Sequence, residues 1–176
     1  LVRAWFLSMT RFAELVAATN YSFLRGASHP AEIVQAAAGS GLAAIGIADR
    51  NTLAGVVRAH VAAKEAGLRL VVGARLVTTD GFEVVVHPAD RAAYGRLCRL
   101  LTLGKRRAGS AECSLAFADI LEMGGAQLFI VLPPRVIDAG FVERLGALAA
   151  AAPDAVHLGA TFSYRGDERR RLGALA

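Results

Sequence analysis

Cysteine is scarce in this chain of 176 residues, with Cys98 and Cys113 the only two. So few cannot make a disulfide framework, and the lack of a CxxC spacing removes the common zinc motifs. Both are read as reduced thiols, which assigns the chain to the cytoplasm. Long hydrophobic runs are missing too. No stretch of about eighteen apolar residues escapes a charge or a glycine, so no membrane span is expected. Residues 1–8 are apolar with one arginine, too short for a signal peptide's charged-then-apolar layout and without a small-residue cleavage site. Met9 reads as a natural start, and residues 1–11 are taken as an extraneous or disordered leader. Acidic residues are in deficit, 15 against 20 Lys and Arg, for a net charge of +5. That balance permits contact with nucleic acid without demonstrating it.

What the chain does have is aliphatic bulk: 55% of its residues are hydrophobic, enough to fill the core of one domain. Apolar runs of β character alternate with helical stretches. Strands are expected at 14–18, 44–48, 127–132 and 156–160. A hairpin is expected where 70–77 and 83–86 flank the turn signal Asp80-Gly81. Helices are expected at 31–40, with Ser28 able to cap it and Pro30 at its start, and from Thr52 to Ala66, closed by Gly67. Further helices are expected at 91–103, 117–122, 141–151 and 166–176. Residues 105–110 (KRRAGS) read as a basic loop. Strand–helix alternation predicts an α/β fold with a mainly parallel sheet.

Three strings point further. NYSFLRGASHP (20–30), GIADRNTLAGVVRAHVAAK (46–64) and DRAAYGRLCRLLTLGKRR (90–107) occur in order. Together they resemble the PHP domain at the front of C-family DNA polymerases, in the error-prone branch. The resemblance implies a partial, distorted (β/α) barrel over residues 12–176, truncated before the barrel closes. It also implies a longer polymerase chain that carries the catalytic palm, uses magnesium and acts in translesion synthesis. Expected partners are the rest of that chain, DNA through it, SOS-induced mutagenesis proteins and the sliding clamp, with no membrane.

An active PHP domain holds metal at the C-terminal ends of its strands, where barrel sites lie, and uses it to activate water against phosphoesters. Placed by Tyr21-Ser22, the family's His-x-His falls on Val16 and Ala18. The next ligand position falls on Arg25. Thr-Asp-His becomes Ala48-Asp49-Arg50, and Gly-x-Glu becomes Gly73-Ala74-Arg75. Aliphatic and guanidinium groups donate no electron pair to a cation. No metal or other cofactor is therefore expected on this chain itself, with Asp49 and His87 as weak remnants of the site. His29, His60 and His157 read as structural or exposed. Ser22 has no matched His and Asp for a hydrolase triad, and Gly124-Gly125 lacks a P-loop's Gly-Lys.

Arg25, Arg50 and Arg75 follow consecutive strands and are expected to converge on one mouth. There they would recruit an anion or a carboxylate such as Asp49. Lys105, Arg106 and Arg107 are either a solvated run or a contact to DNA or to the polymerase. The leading expectation is a non-catalytic structural module of an error-prone polymerase. The alternatives are a metal-dependent phosphoesterase or proofreading exonuclease, and a free-standing nucleic-acid-binding module.

Overall fold

The computed structural model describes residues 12–109, 112–160 and 166–173, so the expected leader at 1–11 lies outside the described residues. Six strands form one sheet in the order β1-β2-β3-β4-β5-β6. They are β1 (Ala13–Ala17), β2 (Ala44–Arg50), β3 (Arg69–Val77), β4 (Glu83–Pro88), β5 (Gln127–Leu132) and β6 (Val156–Leu158). The helices are α1 (Pro30–Gly39), α2 (Val56–Ala66), α3 (Arg91–Ala108), α4 (Phe117–Leu121), α5 (Ala139–Ala151) and α6 (Glu168–Gly173).

The sheet is mixed, which corrects the expectation of a mainly parallel one. β1, β2 and β3 are parallel, β4 runs antiparallel to both β3 and β5, and β5 and β6 are parallel. The cause is the hairpin at Asp80-Gly81: Gly81 sits at φ 82°, where glycine carries no Cβ penalty, and the chain reverses without a crossover helix. β4 alone is reversed: β5, antiparallel to it, returns to the direction of β1 to β3, and β6 follows β5.

The helices cover one face of the sheet in two apolar clusters. Ile45 and Ile47 pack against Val34 and Ala37 of α1 and against Ala59, Ala62 and Ala63 of α2. Leu76, Val84, Val86, Phe129 and Val131 pack under Leu97 and Leu101 of α3, Ile120 of α4 and Phe141 of α5. Alternation along the strands sends the other side chains to the concave face, where Ala48, Val85 and Leu132 meet Val16 and Ile130. The sheet curls into a half-barrel around that face. Its curvature is visible in one bond, from the His87 ring on β4 to the Leu15 carbonyl on β1, 3.0 Å away.

Several expected boundaries move. Residues 105–107 are the last turn of α3 rather than a loop. The buried stripe Leu97, Leu100, Leu101 continues to Gly104, and cations at a helix C-terminus are favoured by its dipole. Only glycine fits at 104, because a Cβ would lie 2.6 Å from Cys113 Sγ and from a Leu115 methyl carbon. Thr52 does not cap α2. Its hydroxyl accepts from Ala54 N at 3.1 Å in a local turn, and the helix begins at Val56. α1 is capped at His29 rather than Ser28, with the Glu32 carboxylate accepting from His29 N at 2.7 Å. Asp138 starts α5 by accepting from Phe141 N, and β6 stops at Leu158, short of 160.

Candidate functional site

The C-terminal ends of β1, β2 and β3 open on one rim of the half-barrel, and the loop after β1 folds back over it. Asp49, near the end of β2 and buried, holds that loop. Its Oδ1 accepts from Thr19 N at 2.7 Å and from Ser22 Oγ at 2.6 Å, and its Oδ2 accepts from Thr19 Oγ1 at 2.7 Å. Ser22 Oγ in turn accepts from Arg50 N at 2.9 Å, while Arg25 N and Gly26 N both donate to the Ser22 carbonyl. Residues 19–26 are thus a stapled turn. The next residue on β2's side, Asn51, is buried in a left-handed conformation (φ 51°) and brackets Val77 of β3 with both ends of its amide.

Arg75 lies on the concave face and forms an ion pair with Glu83 of β4, Nε to Oε2 at 2.9 Å. Antiparallel register sets Arg75 opposite Val85 and Val77 opposite Glu83, so the pair is a diagonal one across the hairpin. Arg25 and Arg75 line one cavity of about 690 Å³ together with Asp80, Glu83, Arg135 and Arg144. Its other charges are compensated: Arg144 pairs with Asp80 and lies over the Phe82 ring, and Arg135 approaches Asp167 at 3.8 Å. The Thr78 hydroxyl and Arg144 hold the Asp80 carboxyl below the usual carboxylate range.

Of the three arginines expected at one mouth, Arg25 and Arg75 line the same cavity. Arg50 and Arg75 are register partners on adjacent strands, yet Arg50 faces a separate cleft of about 630 Å³. That cleft also contains Tyr21, Phe23, Lys105, Glu112 and Cys113. The carboxylate that answers Arg75 is Glu83 and not Asp49, whose oxygens are taken by Thr19 and Ser22. The three cations at 105–107 do not act together either. Lys105 faces the Arg50 cleft, Arg106 is exposed, and Arg107 pairs with Asp119 at 2.5 Å, holding that carboxyl down.

His87 is not at the mouth. β4 is reversed, so its C-terminal end lies away from the rim, and the ring sits mid-sheet over Gly73. Its Nε2 is 3.0 Å from the Leu15 carbonyl and its Nδ1 is 3.1 Å from the Val72 carbonyl. Burial pushes its pKa down, and the two backbone hydrogen bonds oppose this in part. Val16 belongs to the small apolar cluster of the concave face, and Ala18 is half-buried in the chain leaving β1. His29 and His60 are exposed on or beside helices, and His157 is exposed on β6. Among the described residues, no three His, Cys, Asp or Glu side chains come together in a metal-binding group. The donor chemistry at the rim, guanidinium and aliphatic with its carboxylates engaged, does not fit the family's metal cluster.

Comparison with known proteins gives concordant results. The family model described as "PHP domain" matches residues 14–133. The chain is 49% identical over 174 residues to the error-prone DNA polymerase of Brucella abortus biovar 1 (strain 9-941), covering 96% of this chain and 16% of that protein. It is 47% identical over 175 residues to the error-prone DNA polymerase of Rhodopseudomonas palustris (strain BisB5), again covering 96% and 16%. The chain therefore spans about 16% of the length of these curated relatives. Among solved structures, a candidate metal-dependent phosphoesterase from Bifidobacterium adolescentis superposes with a TM-score of 0.70 at 16% identity, over 95% of this chain and 83% of that one. An amidohydrolase from Chromobacterium violaceum gives 0.67 at 15% identity, over 92% and 81%. At such identities the likeness speaks for the fold alone.

Proposed function

This chain belongs to the PHP domain family, and on that premise we propose that it is a non-catalytic structural module of an error-prone DNA polymerase, with an ion pair standing where the family places metal. One observation carries the reading: at the positions matching the family's ligands stand Val16, Ala18, Arg50 and Arg75, and Arg75 is bound to Glu83 across the β3–β4 hairpin. A metal cluster bridges strand ends by sharing its ligands. Here the Arg75–Glu83 pair, the Asp49 staple and the Asn51 bracket join the same strand ends without a cation.

In this reading the rest of the polymerase chain supplies magnesium-dependent nucleotidyl transfer in DNA damage tolerance, within the cytoplasm. SOS-induced mutagenesis proteins and the sliding clamp are partners of that longer chain. No described helix is long and apolar enough to cross a membrane.

The test is hydrolysis of a generic phosphodiester and of single-stranded DNA with manganese, zinc and magnesium, alongside calorimetric titration of each metal. The expected result is no turnover above the protein-free blank and no saturable heat. Metal-dependent turnover that persists in Asp49→Ala and His87→Ala overturns the reading and favours a phosphoesterase.

A further inference from the structure

The cleft beside the mouth differs from the mouth cavity in how its charge is balanced. In the cavity, Arg75, Arg135 and Arg144 each have a carboxylate partner, while Arg25 makes no ion pair among the described residues. In the cleft, Arg50 and Lys105 face a single carboxylate, Glu112, and neither makes an ion pair among the described residues. Both cations are exposed. Their charge is left for a ligand, and it is moderated by the negative end of α3, whose last turn carries Lys105.

The same cleft is walled by two aromatic rings. Tyr21 is half-buried, whereas Phe23 is 83% exposed and packs in no cluster of the core. Folding does not require a phenyl group at that position. Its backbone is nevertheless well fixed: Ser22 before it binds Asp49, and Arg25 N and Gly26 N after it bind the Ser22 carbonyl. A ring presented on a rigid turn loses little freedom when it is covered. The volume, about 630 Å³, falls within the range of roughly 300–1,000 Å³ for sites that hold compact organic ligands.

Two unpaired cations beside an exposed ring on a fixed turn have the composition of a single-strand binding groove, where phosphates meet Lys and Arg and bases stack on aromatics. We propose that this cleft binds single-stranded nucleic acid, with Arg50 and Lys105 taking the phosphate backbone and Phe23 stacking on a base. An acidic protein surface would use the cations but gives no reason for the ring. A duplex keeps its bases stacked on one another and leaves the ring without a partner. The assignment goes beyond the module reading; it shares Arg50 with that reading but involves no chemistry and holds whether or not the module reading does.

The experiment is fluorescence anisotropy of a dye-labelled oligothymidylate of about twelve nucleotides with the 176-residue chain, in EDTA, across a salt series. Two neutralised phosphates predict a slope of about −1.4 in log affinity against log salt, a loss of about sevenfold between roughly 50 and 200 mM. Arg50→Ala with Lys105→Ala is expected to flatten that slope. Phe23→Ala is expected to weaken binding roughly fivefold or more at every salt concentration. All three side chains are exposed, so thermal melts of the variants should superimpose on the parent's. Phe23→Trp should retain affinity, with its indole quenched as the oligonucleotide saturates.

Four outcomes overturn the proposal: no binding at low salt, affinity unmoved by the cleft variants, loss only on Arg25→Ala with Arg135→Ala in the mouth cavity, or equal affinity for a duplex. None of them bears on hydrolysis or metal titration, so a failed cleft and a failed module reading are told apart.

Discussion

His87 places one ring between two carbonyl oxygens, and a neutral imidazole has one N–H to offer them. The protonated ring would satisfy both, but burial opposes the charge and prevails, so the folded pKa lies below the ordinary histidine value. The consequence for stability has a definite sign. Such a histidine takes up its proton more readily when the chain is unfolded. Stability is therefore complete above about pH 6.5 and is lost as pH falls through that value toward the folded pKa. Urea unfolding across this window should show the loss in the parent chain and a flatter profile in His87→Leu. An equal slope in that variant would assign the effect to another group. The matched ligand positions, Val16, Ala18, Arg50 and Arg75, could be located from the motif alone. What holds the rim could not. Asp49 reads as an orphaned ligand in the sequence, because Thr19 and Ser22 lie some thirty residues upstream and only folding brings them to it.

At the scale of elements, local signals served well where the physics is local. The Asp80-Gly81 turn and the Gly67 helix stop both lie where side-chain chemistry indicated. Misreadings came where a tertiary contact decided. Lys105 to Arg107 look like a loop until the buried face of α3 is seen to run on through Gly104 to Cys113 and Leu115. The turn after β1 is another such element. Leu24 has φ 60° and is 89% exposed, so neither backbone preference nor packing accounts for a leucine there. A residue with a Cβ pays roughly 1–2 kcal/mol in that conformation, and glycine's extra freedom when unfolded returns roughly 0.5–1. Leu24→Gly is expected to raise the unfolding free energy by about 0.5–1 kcal/mol in urea titration. A decrease would mean that Leu24 stabilises the turn through a contact of its own.

For the molecule as a whole, the α/β class was legible from strand–helix alternation and the partial barrel from the family resemblance, but the mixed sheet was not. The hairpin at Asp80-Gly81 could be read locally, but that β4 would also pair antiparallel with β5, inside the sheet, depends on contacts some forty residues apart in the chain. The two outer strands meet their exposed edges differently. β6 has only three residues. In β1 the register shifts between Glu14 and Ala17, and Val16 N donates to the Glu14 carboxylate at 2.7 Å instead of to a neighbouring strand. An occupied N–H and a charge on an outer strand discourage pairing with another sheet. Glu14→Thr is therefore expected to increase self-association with concentration in sedimentation velocity. A variant as monodisperse as the parent would remove this role.

Gly73 cannot be enlarged while His87 stands. A methyl group at 73 would stand 2.4 Å from the imidazole Nδ1 and 2.8 Å from the Val86 carbonyl, so the glycine is the vacancy into which the ring fits. Giving up the ring at 87 would not by itself make room for a larger residue at 73, because the Val86 backbone carbonyl stays inside contact distance. The fold therefore fixes this glycine twice over, once by a ring fourteen residues away in the chain and once by the backbone of the strand beside it.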